Sequence, residues 1–311
     1  MGIIKGICIS EKRGTAKTYV PKAEFIENFG IKNDAHAGNW HRQVSLLSFE
    51  KIEDFKAKGA EIVPGSFGEN LIVSGFDLRS LPVGARFKSG EVLLEITQIG
   101  KECHSHCNIY KSMGDCIMPR EGIFAKVIKG GELKVDDEIE LLPFDNSRPL
   151  TAAVITLSDK GYRGEREDKS GPLLVSELKN AGYEIVEALV LPDEKQMISD
   201  NLIRLADQRQ VNLIMTTGGT GFSVNDCTPE ATLEVATRNA PGIAEAIRAE
   251  SMKITKRAML SRGVSVIRNQ TLIVNLPGSP KAVKESLDVV LSELQHGLNI
   301  LLGRDGECAR K

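Results

Sequence analysis

The chain has 311 residues, 41% of them hydrophobic and 26% charged, with 40 basic side chains set against 42 acidic ones. So even a charge excludes a polyelectrolyte that holds nucleic acid or an anionic membrane by bulk attraction, and no apolar run approaches the roughly 18 residues of a membrane span. The length predicts two domains, six cysteines in so long a chain predict no disulfide framework, and the opening MGIIKGICIS has no signal-peptide layout, so a cytoplasmic protein is expected.

The first half reads as short strands with turn residues between them. KGICIS, QVSLLS, NLIVSG, ARFKSGEVLLEITQIG and DDEIELLP are apolar runs bounded by Gly, Pro, Asn or Ser. One helix interrupts them, FEKIEDFKAKG, where Phe49, Ile52 and Phe55 recur at helical spacing. Many strands and little helix predict a β-barrel or sandwich-like domain over residues 1–143. LLPFDNSRPL carries two prolines among Asp, Asn and Ser, which predicts a linker at 144–150.

From 151 to 311 the rhythm becomes strand then helix. TAAVITLS is a continuous apolar run, as a strand covered on both faces requires. GPLLVSELKNAG follows as helix, with Pro172 in its first turn and Gly182 past its end. Then come the strand YEIVEALVLP, the helix DEKQMISDNLIRLADQ, the strand VNLIMTT and the helix TPEATLEVATRN. A hairpin in VSVIRNQTLIVNLPG precedes a last helix from Ser279 to about Leu302, with Val283, Leu287, Val290, Leu291, Leu294 and Leu298 on one face. This alternation predicts a doubly wound, mostly parallel α/β sheet.

In such a sheet ligands bind where strands end, and the exits here are chemically loaded. After VNLIMTT comes Thr217-Gly218-Gly219-Thr220-Gly221, bare backbone that can approach an anion, with two hydroxyl donors. Thr228-Pro229 reads as an N-cap and first-turn proline of the next helix, whose positive end favours phosphate. A tight crossover with no ligand explains the glycines equally well. Asp226 shifts the balance, since the turn needs no carboxylate. Asp193 stands at another exit, where a capping box with Gln196 is the competing reading. The exit TLSDKGYRGEREDKSGP is rich in Arg and Lys, and NLPGSPKAV pairs a turn glycine with a Ser-Pro helix start. Together these predict a polyphosphate and Mg²⁺ site, Mg²⁺ taking one or two carboxylates plus substrate oxygens.

LSD, DKSGP, LPDE, TTGGTG, NDCTPEAT, AMLSR and LPGSPKAV together resemble the molybdopterin adenylyltransferase (MogA/MoaB) family over roughly residues 150–303. The resemblance implies adenylylation of molybdopterin by ATP with release of pyrophosphate, with no pyridoxal phosphate involved. It implies Asp193 and Asp226 as catalytic, Mg²⁺-holding residues. Ser158, Asp159, Thr217, Gly218, Gly219, Thr220, Gly221, Ser261, Arg262, Pro277, Gly278 and Ser279 become the expected pterin- and nucleotide-binding positions. The family often carries basic residues just before its second aspartate, whereas this chain reads FSVND. A homotrimer through this half is also implied.

In the first half, SEKRGTAKTYV, NDAHAGNWHRQVSLLS, GSFGENLIVSGFDLRSLPVGARF and ITQIGKEC resemble the MOSC domain, a β-barrel of molybdenum cofactor sulfurases and related proteins, over about residues 5–142. The resemblance implies that Cys103 carries sulfur or touches the cofactor. Asn33 stands where the family commonly has Gly. From the residues themselves, Cys103, His104, His106 and Cys107, with Cys116 beyond, could bind a thiophilic metal, although the spacing is not that of paired C-x₂-C ligands. Arg13, Lys17, His36, His41 and Arg42 could line an anion pocket or form a solvated rim. Trp40, the only Trp, reads as barrel packing.

The combined expectation is an enzyme of molybdenum cofactor biosynthesis with Mg²⁺, ATP and molybdopterin as its small molecules. Molybdenum-insertion proteins or molybdoenzymes are its protein partners, with neither nucleic acid nor membrane. The competing expectation is a non-catalytic molybdopterin carrier or insertion scaffold. A molybdenum-insertion enzyme sharing the α/β domain ranks third, because it would need further β-rich domains of a different kind.

Overall fold

Turn residues at 8- to 15-residue spacing let the first half fold back on itself repeatedly, and apolar alternation then decides which way each strand faces. The computed structural model describes residues 1–103 and 108–304. The chain divides into two units, Met1–Asp145 and Asn146–Lys311.

The first unit runs β1 (Gly2–Ile9), β2 (Thr18–Val20), β3 (Lys22–Ile26), β4 (Gly30–Ile31), β5 (Val44–Ser48), α1 (Phe49–Lys56), β6 (Leu71–Ser74), β7 (Arg86–Ser89), β8 (Val92–Ile99), α2 (Asn108–Met113), α3 (Met118–Glu121), β9 (Ile123–Lys129), β10 (Gly131–Lys134) and β11 (Glu138–Leu141). Strands β11, β7, β8, β9, β5, β6 and β1 are neighbours in that order, and β1 pairs back onto β11 through Gly2 with Ile139 and Ile3 with Glu138. Seven strands therefore close a barrel, which removes the exposed edges an open sheet would have. Strands β10, β3 and β4 form a separate small sheet.

The barrel is filled by Ile4, Ile7, Leu46, Leu71, Val73, Phe87, Leu94, Ile96, Ala125 and Val127. Strand β5 does not alternate because both its faces are covered: Val44 and Leu46 enter the barrel, while Leu47 joins Ile52 and Phe55 of α1 outside it. Ser48 caps α1 by accepting from the Lys51 amide at 3.4 Å. Phe49, expected on the buried stripe, sits at the first turn and is exposed. Strand β9 was not among the expected elements; IFAKVIK does not alternate, because Ile123, Ala125 and Val127 enter the barrel while Phe124 joins the cluster outside it. Asn33 adopts φ +66°, the left-handed region that favours Gly and that Asn tolerates best among the others.

The second unit runs β12 (Thr151–Leu157), α4 (Asp159–Tyr162), α5 (Ser170–Asn180), β13 (Glu184–Leu191), α6 (Lys195–Ile203), β14 (Leu213–Thr217), α7 (Thr228–Glu234), β15 (Arg238–Asn239), α8 (Pro241–Ile254), β16 (Ser265–Arg268), β17 (Thr271–Leu276) and α9 (Pro280–Leu301). The sheet order is β13-β12-β14-β17-β16-β15, parallel from β13 to β17 and antiparallel beyond. Alternate residues of each strand feed two cores. Val154, Met215 and Val274 pack with α5 and α9, and Ile155, Ile214 and Ile273 pack with α6 and α7. Helices on both faces of a mostly parallel sheet make it doubly wound. Gly182, at φ +87°, ends α5 as expected.

Three local expectations need correction. Helix α8 was not expected, and its Ile247 belongs to the core. The segment 228–239 is helical only to Glu234, because Arg238 and Asn239 pair with β16 instead. Helix α6 begins at Lys195, and its last turn, Arg204–Gln208, widens to π geometry.

Candidate active site

Strand β12 has β13 on one side and β14 on the other, so the chain reverses direction across the sheet there. That crevice is where ligands of open α/β sheets bind. The exits of β12, β13, β14 and β17 lie at the same end because these four strands are parallel.

The glycine loop after β14 is fixed from below. The Gly218 amide donates to the Leu276 carbonyl (3.3 Å) and the Thr217 hydroxyl to the Pro277 carbonyl (2.7 Å). The Thr228 amide and hydroxyl donate to the carbonyls of Gly219 (3.2 Å) and Gly218 (3.1 Å). Two of the expected hydroxyl roles change as a result. Thr217 spends its hydrogen on the neighbouring exit, and Thr228 is the first helical residue after Cys227 rather than the N-cap. Gly218 and Gly219 have φ of +102° and +62°. A Cβ on Gly218 would collide with the Leu157 carbonyl, and one on Gly219 would strike the Thr228 hydroxyl and lie 2.8 Å from Asp193 Oδ1. Among the described residues the amides of Gly219, Thr220, Gly221 and Phe222 have no partner. Successive unpartnered N–H groups in left-handed turns form an anion cradle.

Asp193 is not a capping residue. Glu194 occupies the N-cap position of α6 without a side-chain bond, and Gln196 donates to Asp200 instead (2.8 Å). Asp193 interlocks with Asp159: the Asp193 amide donates to Asp159 Oδ1 (3.1 Å) and the Asp159 amide to Asp193 Oδ2 (3.3 Å). Asp193 Oδ1 is buried with no hydrogen-bond partner. Burial raises its carboxyl pKa; the Asp159 backbone bond works against this, and the negative Asp159 and Asp226 add to it. Asp226 Oδ2 accepts from the Ser223 amide (3.2 Å) and would lie 2.8 Å from a Cβ on Gly221. An orphaned carboxylate oxygen, a second carboxylate near it and a row of free amides fit a hard cation bridged by phosphate oxygens. No group of three or more His, Cys, Asp or Glu among the described residues forms a cage by itself.

The other expected positions frame this crevice. Ser158 caps α4, accepting from the Gly161 amide at 3.0 Å. Ser261 accepts from the Gly263 amide (3.4 Å). Arg262 donates to the carbonyls of Gly221 (2.7 Å) and Asp226 (2.6 Å) and pairs with Glu230. Gly278 passes close to Gly218, where a Cβ would lie 3.3 Å from the Gly218 Cα, and Ser279 caps α9 at the Ala282 amide (3.2 Å). Asp168 was not expected at the site. It accepts from the amides of Ser170 (3.0 Å) and Gly171 (2.9 Å) and from the Thr156 hydroxyl (2.7 Å), while the Ser170 hydroxyl reaches the Gly278 carbonyl (2.8 Å). Its signal was an Asp two residues before a Ser at a helix start, in DKSGP.

In the first unit the expected cations do gather, around Trp40. Arg42 and Arg13 lie over its ring at 4.8 and 5.7 Å, and the Trp40 indole donates to the His36 carbonyl (2.7 Å). Trp40 is thus a half-buried ring contacted by two guanidinium groups, not part of the barrel core. Lys17 is enclosed, its Nζ 2.6 Å from Asp34 and 3.2 Å from His36 Nδ1. Burial lowers the His36 pKa, with Lys17, Arg13 and Lys101 adding to the effect against Asp34. Lys101, two residues before Cys103, therefore belongs to the same electrostatic neighbourhood. Cys103 is exposed, and Cys116 is buried in the apolar cluster of Phe55, Phe67 and Met118. His104, His106 and Cys107 lie outside the described residues. His41 reaches Gln98 at 2.9 Å.

Comparison with known proteins matches a family model to each unit. Residues 153–296 match the model of a probable molybdopterin binding domain, and residues 33–140 match that of the MOSC domain. Molybdopterin adenylyltransferase of Escherichia coli K12 is 42% identical over 144 residues, 45% of this chain and 73% of that protein. The molybdenum cofactor synthesis protein cinnamon of Drosophila melanogaster is 40% identical over 164 residues, 52% of this chain, which spans only 27% of that longer protein. The crystal structure of the molybdopterin biosynthesis enzyme MoaB from Thermus thermophilus is 44% identical, with a TM-score of 0.48, and covers 50% of this chain and 97% of its own. The chain belongs to the molybdopterin adenylyltransferase family through its second unit, and carries a MOSC domain in its first.

Proposed function

We propose that the second unit transfers the adenylyl group of ATP to the terminal phosphate of molybdopterin and releases pyrophosphate. The observation that carries this reading is Asp193 Oδ1, buried and unpartnered beside the open amides of the glycine loop. A phosphate oxygen of molybdopterin attacks the α-phosphorus of ATP, and the bond to the bridging oxygen of pyrophosphate breaks. The nucleophile is already ionised at neutral pH, so no strong base is needed. Catalysis rests on alignment and neutralisation of charge. The amides of Gly219 to Phe222 hold phosphate oxygens, and Asp193 and Asp226 hold Mg²⁺. When bound, Mg²⁺ offsets the negative charge of the polyphosphate. Asp159 and Thr228 keep these groups in register.

The first unit, in this proposal, binds the cofactor or carries sulfur on Cys103, next to the cationic rim around Trp40. Joining the two units in one chain raises the local concentration of one unit's product at the other. Among the described residues no helix is long and apolar enough to cross a membrane. Cysteine is sparse, six in 311 residues, which suits a reducing compartment and supports a cytoplasmic location. Family resemblance supports a homotrimer through the second unit, and molybdenum-insertion proteins or molybdoenzymes as recipients.

The deciding experiment is release of pyrophosphate from ATP, dependent on both molybdopterin and Mg²⁺, with the adenylyl group recovered on the pterin. Tight molybdopterin binding with no pyrophosphate would replace the enzyme by a carrier.

A further inference from the structure

Arg262, an expected substrate contact, has its charged side chain turned into the protein's own backbone. Its Nε donates to the Gly221 carbonyl (2.7 Å), its Nη2 to the Asp226 carbonyl (2.6 Å), and its Nη1 pairs with Glu230. Its own amide donates to the Thr220 carbonyl (3.0 Å). The guanidinium thus spans both ends of the Gly221–Asp226 loop, and all three of its nitrogens are engaged. A carbonyl and the N–H of the same trans peptide point in opposite directions. Drawing the carbonyls of Thr220, Gly221 and Asp226 toward Arg262 therefore turns the amides of Gly221, Phe222 and Cys227 away from it. The first two belong to the run of unpartnered amides, and none of the three finds an acceptor among the described residues.

We infer that Arg262 is a positioning residue. It gives the glycine loop its polarity, with carbonyls on its own side and amides on the phosphate side, and it fixes the backbone that carries Asp226. Its positive charge is spent on this framework and on Glu230. Among the described residues no other donor holds the Gly221 carbonyl, so without Arg262 the Gly221–Phe222 peptide is free to rotate, and a carbonyl turned inward would present partial negative charge to a phosphate. The segment FSVND is held at both ends by this arginine, through the carbonyls of Gly221 and Asp226.

The inference rests on the adenylyl-transfer reading for its kinetic consequence alone. Arg262→Lys keeps the charge but offers a single donating point that cannot span two carbonyls, and Arg262→Gln removes the charge as well. If Arg262 positions the loop, both variants lose kcat by about 30-fold or more and weaken ATP binding alike, Arg262→Lys being as impaired as Arg262→Gln. A direct phosphate contact would instead leave Arg262→Lys near wild-type kcat and raise KM for ATP in Arg262→Gln, and that result overturns the inference. Hydrogen exchange on the unliganded protein supplies a readout free of the reaction. The Asp226 and Thr228 amides, bonded to Ser223 and Gly219 across this loop, are expected to exchange at least about tenfold faster in both variants. Unchanged exchange also overturns it. Should both variants fail to fold, Glu230→Gln releases Nη1 alone and is expected to speed the same amides about threefold; no change would sink the idea. If wild-type protein releases no pyrophosphate, the adenylyl-transfer reading falls while the exchange experiment still decides the role of Arg262 in the loop.

Discussion

Replacing Asp193 by Asn separates what this carboxylate does for the reaction from what it does to the fold. In the unliganded protein Oδ1 is buried without a partner, and Oδ2 receives one long bond, 3.3 Å from the Asp159 amide. Burial first, then the negative charges of Asp159 and Asp226, hold the folded pKa above the ordinary value of 3.8, against the Asp159 backbone bond. Between the unfolded and folded pKa the native state retains a proton that the unfolded chain has lost. Stability from this group is therefore fully present below the unfolded pKa and declines as pH rises through the folded one. At neutral pH the ionised Asp193 destabilises the unliganded protein. Asn keeps the size and removes the charge. Because the residue is only half-buried, solvent screening keeps the gain on the order of 1 kcal/mol. For a domain of this size that is a Tm higher by about 2–4 °C. Adenylyl transfer should fall by about 10²- to 10³-fold, and the stabilisation that Mg²⁺ and ATP together give wild type should disappear. Thermal melts at pH 7.5 and at pH 4, with and without Mg-ATP, read all of this, the advantage of the variant shrinking at the lower pH. A variant that melts well below wild type without ligand would refute the reasoning, because it would mean that Oδ1 has a favourable partner within the protein itself.

Asp226→Asn should lower adenylyl transfer by about 10²-fold while molybdopterin binding, titrated without ATP, changes little. Near-normal turnover would reduce Asp226 to a loop residue. Gly219→Val places a branched side chain at φ +62°, with its Cβ 2.8 Å from Asp193 Oδ1; about 1–3 kcal/mol of backbone strain and loss of nucleotide affinity should appear together in melts and titrations. Cys103→Ala should leave pyrophosphate release unchanged and abolish only cofactor binding or persulfide formation by the first unit. Metal analysis of the same variant tests the thiophilic-metal alternative, which predicts bound zinc in wild type, its release in the variant and a lower Tm.

The repeated strand-helix rhythm made the second unit legible, because burial on both sheet faces leaves unbroken apolar runs such as TAAVITLS and VNLIMTT. The barrel was harder to read. IFAKVIK passed unnoticed beside the cysteine-rich stretch, and whether its strands close depends on pairings such as Gly2 with Ile139, far apart in sequence. Helix α8 was missed because its apolar residues are spread around it, and of Ile243, Ala244, Ala246, Ile247, Ala249, Met252 and Ile254 only Ala244 and Ile247 are buried.

At the candidate site, the letters named strand exits that the fold brings to one end of the sheet, but not the bonds made within them. An Asp followed three residues later by Gln reads as a capping box whatever its surroundings, and only the orphaned Oδ1 and the Gln196–Asp200 bond separate that from a metal-holding carboxylate. Hydroxyls divide in the same way. Thr217 looks like a ligand donor and Thr228 like an N-cap, yet both hydroxyls are bonded to backbone carbonyls, while the groups left open are amides, which every residue but proline carries and which no sequence pattern marks. Phosphate recognition of the kind proposed depends on which backbone groups the surrounding side chains leave unpaired, and that is a property of the assembled loop. The bonds of Thr228, Arg262 and Asp168 belong to the site as much as the glycines do, because each consumes a carbonyl or fixes a turn that would otherwise compete for those amides.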